Sequence, residues 1–442
     1  MDTAELLGQY IQQYSPDVFH TFLERLADEF HLLANPSRPI PISRGPLLME
    51  KEYVDHFRRA TNLIWGVLNN RGYQNISAGR IPRELLHGTE EVLAIPLDTT
   101  CNIGCIDFHL SNRQLKVIEY MALPPGMIGI YPGLLARYGE FLADTIPGFH
   151  PLIYTEGWDR ARCEQAMVAH IIGKSIVDGV AIIDWNPESQ ITHGEFLYTK
   201  KLLATVGNGI TCTIADPREV TLSGGRPWVH GRPVDRILNR VTLVDWMDHL
   251  GEVTDYTRIL WECPEVFVYH PFLWYLADKN SLTLLSSPKA ISVMGIDQES
   301  IKGLTDLVPK TRMLSDFSDT RTGRVQIDRL IEQFGPPETM VLKPVSSHAS
   351  KGVLYGPLDF PSREKMAERL SSINPTEYVV MERIPPGEVL YPMGNGLCEA
   401  WRYDLRAYVF DNSLWFAGGR VYLGEYTNQL PVRNFAPLFF VV

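Results

Sequence analysis

Apolar residues recur at three- and four-residue spacing through the first ninety positions, a period that predicts amphipathic helices. "SPDVFHTFLERLADEFHLLAN" opens on a Ser-Pro-Asp start suited to a helix N-terminus, and "MEKEYVDHFRRATNLIWGVLNN" repeats the pattern. From Val92 the pattern shortens to the runs "VLAIPL", "CIDFHL" and "LKVIEYM", which predict strands, with "SNRQ" as the hairpin turn between the last two. A helix over "RARCEQAMVAHIIGKSIVDG" leads to an alternating unit. There "VAIIDW" reads as a buried strand, "THGEFLYTKKLLATVG" as a helix closed by Gly207, and "ITCTIAD" as a second strand. "PWVHGRPVDRILNRV" adds a hairpin and a further strand, so a small parallel sheet is predicted over about 180 to 270. Helix and strand segments separated by turns continue from there, with no internal repeat, low-complexity tract or long linker.

A chain of 442 residues exceeds one simple core, so two or three domains are expected. Apolar residues at 45 % and charged ones at 21 % fit an ordinary globular protein. A net charge of -11 argues against broad binding to nucleic acid or anionic membrane, while leaving room for a local basic pocket. The start "MDTAELLGQYIQQYSPDVF" is polar and acidic, unlike a signal peptide. Apolar runs such as "FAPLFFVV" are too short to span a bilayer. Cys101, Cys105, Cys163, Cys212, Cys263 and Cys398 lack disulfide or zinc spacing and read as buried reduced thiols. A cytoplasmic location is the expectation.

Candidate chemistry concentrates in the C-terminal third. "LADKNSLTLLSS" predicts a helix presenting Lys279, and in "DLVPKTRML" Pro309 starts a strand. "ETMVLKPVSSHASKGVLYG" puts Lys343 at the end of an apolar strand, before a small-residue loop from Ser346 to Gly352 and another strand. "EYVVMERI" is a strand ending in Glu382. "WRYDLRAYVFDNSLWFAGGRVYLGEYTNQ" reads as two strands across a turn at Asp411-Asn412, leading to Arg420 and Asn428. Two lysines on different elements can hold a phosphate chain from two sides. A loop of small residues admits close approach of backbone N–H groups, although the GxxxxGK[ST] pattern is absent. The edge of "YVVMERI" offers adenine backbone groups under apolar cover. A lysine after an apolar strand is by itself usually a surface residue. The ordered set is what points to a nucleotide clamp.

In this order "DK", "VPKT", "VLKP…SKGV", "VMER" and "DLRAYVF…GGR…TN" resemble the ATP-grasp ligases. The resemblance implies that Lys279 and Lys343 bind the nucleotide phosphates, with Ser350, Lys351 and Gly352 covering them from the loop. Glu382 and Arg383 would close the adenine strand, and Arg420 would act with Lys343 at the transferred phosphoryl group. The family's metal-binding strand pair should follow "TNQ", where the chain has only "LPVRNFAPLFFVV". The earlier "IDFHLSNRQLKVIEYMALPPGM" is similar to that pair, with Asp107 and Glu119 at metal-ligand positions and Gly126 in the closing turn. Asn428 is a further candidate ligand. The rearranged order resembles the circularly permuted branch that includes eukaryotic-type glutathione synthetase and glutathionylspermidine synthetase, over residues 90 to 440 or so.

That resemblance implies an α/β (α+β) chain with an ATP-grasp fold in permuted order. Its parts would be a helical region over 1–90, the permuted terminal part with the metal strands over 91–178, an α/β substrate domain over 179–275, and nucleotide-binding subdomains over 276–442. ATP and Mg2+ are the implied cofactors, and a small carboxylate and an amine the implied substrates. The reaction would form ADP and pass through an acyl phosphate; a homodimer stays open as the assembled form. Three positions depart from the family. Met121 stands where Asn is usual, and a thioether is a poor ligand for Mg2+. Cys105 stands where Arg is common, and the "VSSHASKG" loop lacks the triple glycine. A kinase, in which the same clamp passes the phosphoryl group to a hydroxyl, is one rival reading, and a degenerate nucleotide-binding protein, for which Met121 and Cys105 speak, is the other. Arg240 and Arg406 read equally as carboxylate ligands or as structural surface arginines, and His348 as a loop tip.

Overall fold

The helical periods fold as helices with the caps that their sequences encode. The structure, a computed structural model, describes residues 2–81, 101–149, 158–173, 177–346, 351–427 and 432–441. Ser15 caps the helix Pro16–Phe30 with its side chain, and Phe19, Leu26 and Phe30 form its buried stripe. The helix Tyr53–Leu68 buries Phe57, Ile64 and Trp65 against the large sheet. The run "VLAIPL" lies outside the described residues.

Strands β1 (Leu47–Glu50), β2 (Ile103–Ser111) and β3 (Gln114–Met121) come first. The middle of the chain supplies β4 (Gly179–Ile183), β5 (Thr211–Ala215), β6 (Val220–Ser223), β7 (Arg226–Val229), β8 (Arg232–Pro233) and β9 (Arg236–Asn239). Then follow β10 (Thr311–Met313), β11 (Met340–Pro344), β12 (Leu354–Tyr355) and β13 (Tyr378–Glu382). The last are β14 (Gly387–Gly394), β15 (Leu397–Phe410), β16 (Ser413–Tyr422) and β17 (Arg433–Val441).

A seven-stranded sheet runs β1-β17-β16-β15-β2-β3, with β14 also paired to β15. A four-stranded antiparallel sheet runs β10-β13-β11-β12. The parallel sheet expected near 180 to 270 is β5-β4-β9, and β6-β7-β8 form a small separate sheet. This mixture of helices and several sheets agrees with the α+β expectation. Both hairpin turns fall where the sequence puts them. Asn112 and Arg113 have φ of 49° and 62°, Asp411 and Asn412 of 48° and 60°, a left-handed pair that matches strand twist.

Two details differ from expectation. The strand after Pro309 starts at Thr311, and Lys279 sits in a turn ahead of the short helix Ser281–Leu285. "FAPLFFV" became part of β17, which pairs antiparallel with β16 and parallel with β1.

The packing forms two apolar cores. One runs from the N-terminal helices through the parallel and large sheets. The other, including Leu314, Phe334, Leu342, Phe360 and Val380, belongs to the four-stranded sheet and its helices. Gly418 is required where the ring of Tyr131 packs on β16, since a Cβ there would overlap the Tyr131 hydroxyl. Among the described residues no helix is long and apolar enough to cross a membrane.

Candidate active site between two sheets

Pairing of β2 with both β3 and β15 builds a row of charges across the large sheet. Asp107 lies opposite Glu119 on β3 and opposite Arg406 on β15, while Asp404 lies opposite Arg420 on β16. Directly opposed side chains are close enough to pair. The two-residue period turns Cys105, Asp107 and His109 to one side, where they line a cavity of about 390 Å³.

Two aspartates hold two arginines. Arg406 grips Asp107 through Nε to Oδ1 at 2.6 Å and Nη2 to Oδ2 at 2.7 Å. Arg420 Nη2 donates to Asp107 Oδ2 at 2.7 Å and to Asp404 Oδ2 at 2.8 Å, and its Nε to Asp404 Oδ1 at 2.9 Å. The Thr427 hydroxyl also donates to Asp404, which is fully buried. Burial alone would raise the Asp107 pKa, but Arg406 and Arg420 outweigh it and hold the carboxyl below its ordinary range.

A break in the ladder brings in the second sheet. The register between β2 and β3 skips Ile118, whose carbonyl accepts a 2.7 Å hydrogen bond from Lys343 Nζ on β11. Lys279 Nζ reaches Glu119 Oε1 at 3.2 Å. Glu119 is surrounded by protein, yet 44 % of its side chain stays open to the cavity. Burial raises its pKa, whereas Lys279 and Lys343 lower it and prevail. Burial also lowers Lys343 to about 8; Glu119 opposes that shift and Lys279 adds to it.

The two ends of the cavity differ in chemistry. Val341, Val353, Met381 and Ile384, with the Tyr355 ring, make an apolar end on the four-stranded sheet. At the other end lie Gln190, Thr192, Arg240 and Thr242, from loops after β4 and β9 at the carboxyl edge of the parallel sheet, where ligands of α/β folds collect. Arg240 donates to the Pro124 carbonyl and stands 3.7 Å from Glu195. Glu195 in turn accepts from the backbone N–H groups of Met127 at 2.9 Å and Gly129 at 2.8 Å, which pins the Pro-Pro-Gly turn. His109 Nδ1 is 2.6 Å from the Ile384 carbonyl, which can only accept, so the proton is on Nδ1. Burial lowers its pKa.

Of the residues expected from the sequence, Lys279, Lys343, Glu382, Asp107, Glu119 and Arg420 share this cavity. Glu382 is exposed at its rim. Arg383 does not line the cavity; it donates from Nε to the Tyr355 hydroxyl and lies 3.8 Å from Glu425. Lys351 and Gly352 lie outside the lining, and Lys351 is exposed. Ser350, His348 and Asn428 fall outside the described residues. Neither Arg240 nor Arg406 is a surface arginine: their side chains are 11 % and 12 % exposed and each faces the cavity. The Cys105 thiol, pushed up to about 12 by burial, stays protonated.

Sequence reading missed His109, Asp404 and Arg433. Strand alternation from Asp107 could have found His109. Asp404 and Arg433 needed the neighbouring strands.

Among the described residues no group of three or more His, Cys, Asp and Glu side chains could hold a metal unaided. For Mg2+, Glu119 is the candidate carboxylate that faces the cavity and is not held by arginines, with Lys279 Nζ 3.2 Å from its Oε1. Asp107 has both oxygens engaged by arginines, and Met121 offers a soft sulfur. A wider groove of about 1240 Å³ runs along the helix His193–Thr205 and β5, and contains none of these residues. There Arg218 pairs with Asp216, and His230 Nε2 lies 3.0 Å from Glu219 Oε1.

No protein-family model and no curated protein sequence matches the chain. The structure is similar to that of a glutathione synthetase-like effector from Globodera pallida, solved in the apo form. The match has a TM-score of 0.57 at 11 % identity, and covers 97 % of this chain and 98 % of that one. The two share an overall fold. A candidate gamma-glutamylcysteine synthetase from Methylobacillus flagellatus aligns over 85 % of this chain and 88 % of its own, at 12 % identity. Its TM-score of 0.39 is too low to establish a common fold.

Proposed function

We propose that the protein is an ATP-dependent ligase that joins a small carboxylate to an amine. The observation that carries this reading is the meeting of Lys279, Lys343, Glu119 and Arg420 at one cavity between two sheets, despite their separation in sequence. A fold shared with a protein named as glutathione synthetase-like supports the same class. The apolar end would take the adenine, and Lys343 and Lys279 would hold the phosphates. Glu119 would bind Mg2+, which supplies charge neutralisation between phosphate oxygens.

The γ-phosphoryl group passes to the substrate carboxylate, giving ADP and an acyl phosphate. The amine then attacks the acyl carbon, loses a proton and expels inorganic phosphate. Arg420 and Arg406, fixed by Asp107 and Asp404, stabilise the developing anion without moving. Placement in an enclosed cleft limits loss of the acyl phosphate to water.

A degenerate nucleotide-binding protein is favoured by one observation, the double engagement of Asp107 beside Met121. Measuring ADP release with Mg2+, pooled carboxylic acids and pooled amines separates the readings. A ligase releases ADP and phosphate only when both pools are present, a kinase leaves a stable phosphoester, and a degenerate protein does neither. Lys343→Ala should cut release about a hundredfold or more. Unchanged turnover in that variant overturns the phosphate assignment.

A further inference from the structure

The backbone at the apolar end of the cavity is already well used. Strand β13 is paired on one side by β10 and on the other by β11. The N–H groups of Glu382 and Arg383 go to the carbonyls of Lys310 and Thr339. The Ile384 carbonyl, two residues past the end of β13, takes the proton of His109 Nδ1 at 2.6 Å. The strand therefore has less backbone to offer a base than its sequence suggests.

His109 brings a different polar atom to this end. It reaches across from β2 on the large sheet, is 9 % exposed, and stands in the cavity wall. Its other nitrogen, Nε2, has no hydrogen-bond partner among the described residues and is not one of their sealed polar atoms, so it opens on the cavity. With the proton on Nδ1, Nε2 offers a lone pair and no hydrogen. Its surroundings are the side chains of Val341, Val353, Met381 and Ile384, and the Tyr355 hydroxyl there already accepts from Arg383. A ligand that displaces water from Nε2 loses affinity unless it returns the hydrogen bond.

We infer that His109 sets the base preference of the nucleotide site, its Nε2 accepting from the exocyclic amino group of adenine and disfavouring a purine with a carbonyl there. This inference rests on the ligase reading, which places the base at the apolar end. Hypoxanthine matches adenine closely in size, so apolar walls alone cannot tell the two apart. Its oxygen would face the Nε2 lone pair with no hydrogen between them. A site built around a hydrogen bond rejects the analogue that cannot make it more strongly than an apolar pocket does.

Calorimetric titration of the full chain with MgADP and with MgIDP, the hypoxanthine counterpart, tests this. A pH of about 7.5 lies roughly one unit above the ordinary imidazole value and keeps the ring in its basic form. MgADP should bind about tenfold or more tightly than MgIDP. His109→Asn keeps a donor for the Ile384 carbonyl but removes the acceptor at Nε2. It should weaken MgADP about tenfold and bring the two nucleotides to within about threefold of each other. His109→Phe, which keeps a ring without either nitrogen, should level them in the same way. Equal affinities in the wild type, which need no variant to measure, overturn the proposal, as does a variant that keeps the full preference. In both cases the nucleotide site itself stands. If His109→Asn instead abolishes only a preference for ADP over deoxyadenosine diphosphate, Nε2 reads the ribose and the proposal falls. A wild type that binds none of these nucleotides removes the ligase reading, and the base preference with it.

Discussion

Lys343 sits in conflicting surroundings: buried, beside Glu119 and also beside Lys279. Its folded pKa of about 8 lies below the ordinary 10.5. Between those values the unfolded chain binds a proton that the folded chain lacks, so stability from this group increases as pH rises from 8 to 10.5. Below 8 the folded chain carries the cost of a buried charge. Phosphate binding runs the other way, because it needs the charged form. MgADP affinity should therefore be constant below pH 8 and fall by up to about tenfold per unit above it. Titrations from pH 7 to 9.5 check this, with Lys343→Arg expected to flatten the profile. A flat wild-type profile would show that Lys343 does not hold the nucleotide. The lysine itself was legible as the end of an apolar strand. Its lowered pKa was not, because that comes from burial between the two sheets and from Lys279, neither of which is a neighbour in sequence.

Hairpins and the turn after β3 decide how the elements present these side chains. The turn "LPPGM" has little regular hydrogen bonding of its own, and Glu195 on the helix His193–Thr205 supplies it. Glu195→Ala would leave two backbone N–H groups without this acceptor and Arg240 without this carboxylate. That loss should destabilise the fold by about 3 kcal/mol, read as a lower urea midpoint with an unchanged slope. A midpoint equal to wild type would mean that the turn is held elsewhere. The two-residue turns of β2–β3 and β15–β16 were legible because Asn and Asp tolerate left-handed backbone and flank alternating apolar runs. The skipped residue Ile118 was not, since a bulge needs a partner strand to be counted against.

At the scale of the whole molecule, the cavity lies where the body with the four-stranded core meets the larger core. A ligand touching both bodies stabilises their contact as well as its own site. MgADP at a hundred times its Kd should add about 2.7 kcal/mol, a rise in Tm of roughly 3–5 °C, and Lys343→Ala should abolish the shift. Scanning fluorimetry with and without MgADP measures it, and no shift in wild type at millimolar nucleotide would count against the nucleotide site. By itself the sequence determined the helices, most strands, both hairpin turns and the identity of most charged groups at the site. Each of these is set by neighbours a few positions away, through period, turn conformation and side-chain chemistry. Tertiary structure alone decided that β2 lies beside β15, so that Asp107 meets Arg406 from 299 positions away. It also decided that β17 runs beside β16 and β1, which turns Arg433 into the cavity. Periodicity records which face of a strand is buried, but not which strand lies next to it, and this site is built from what lies next to it.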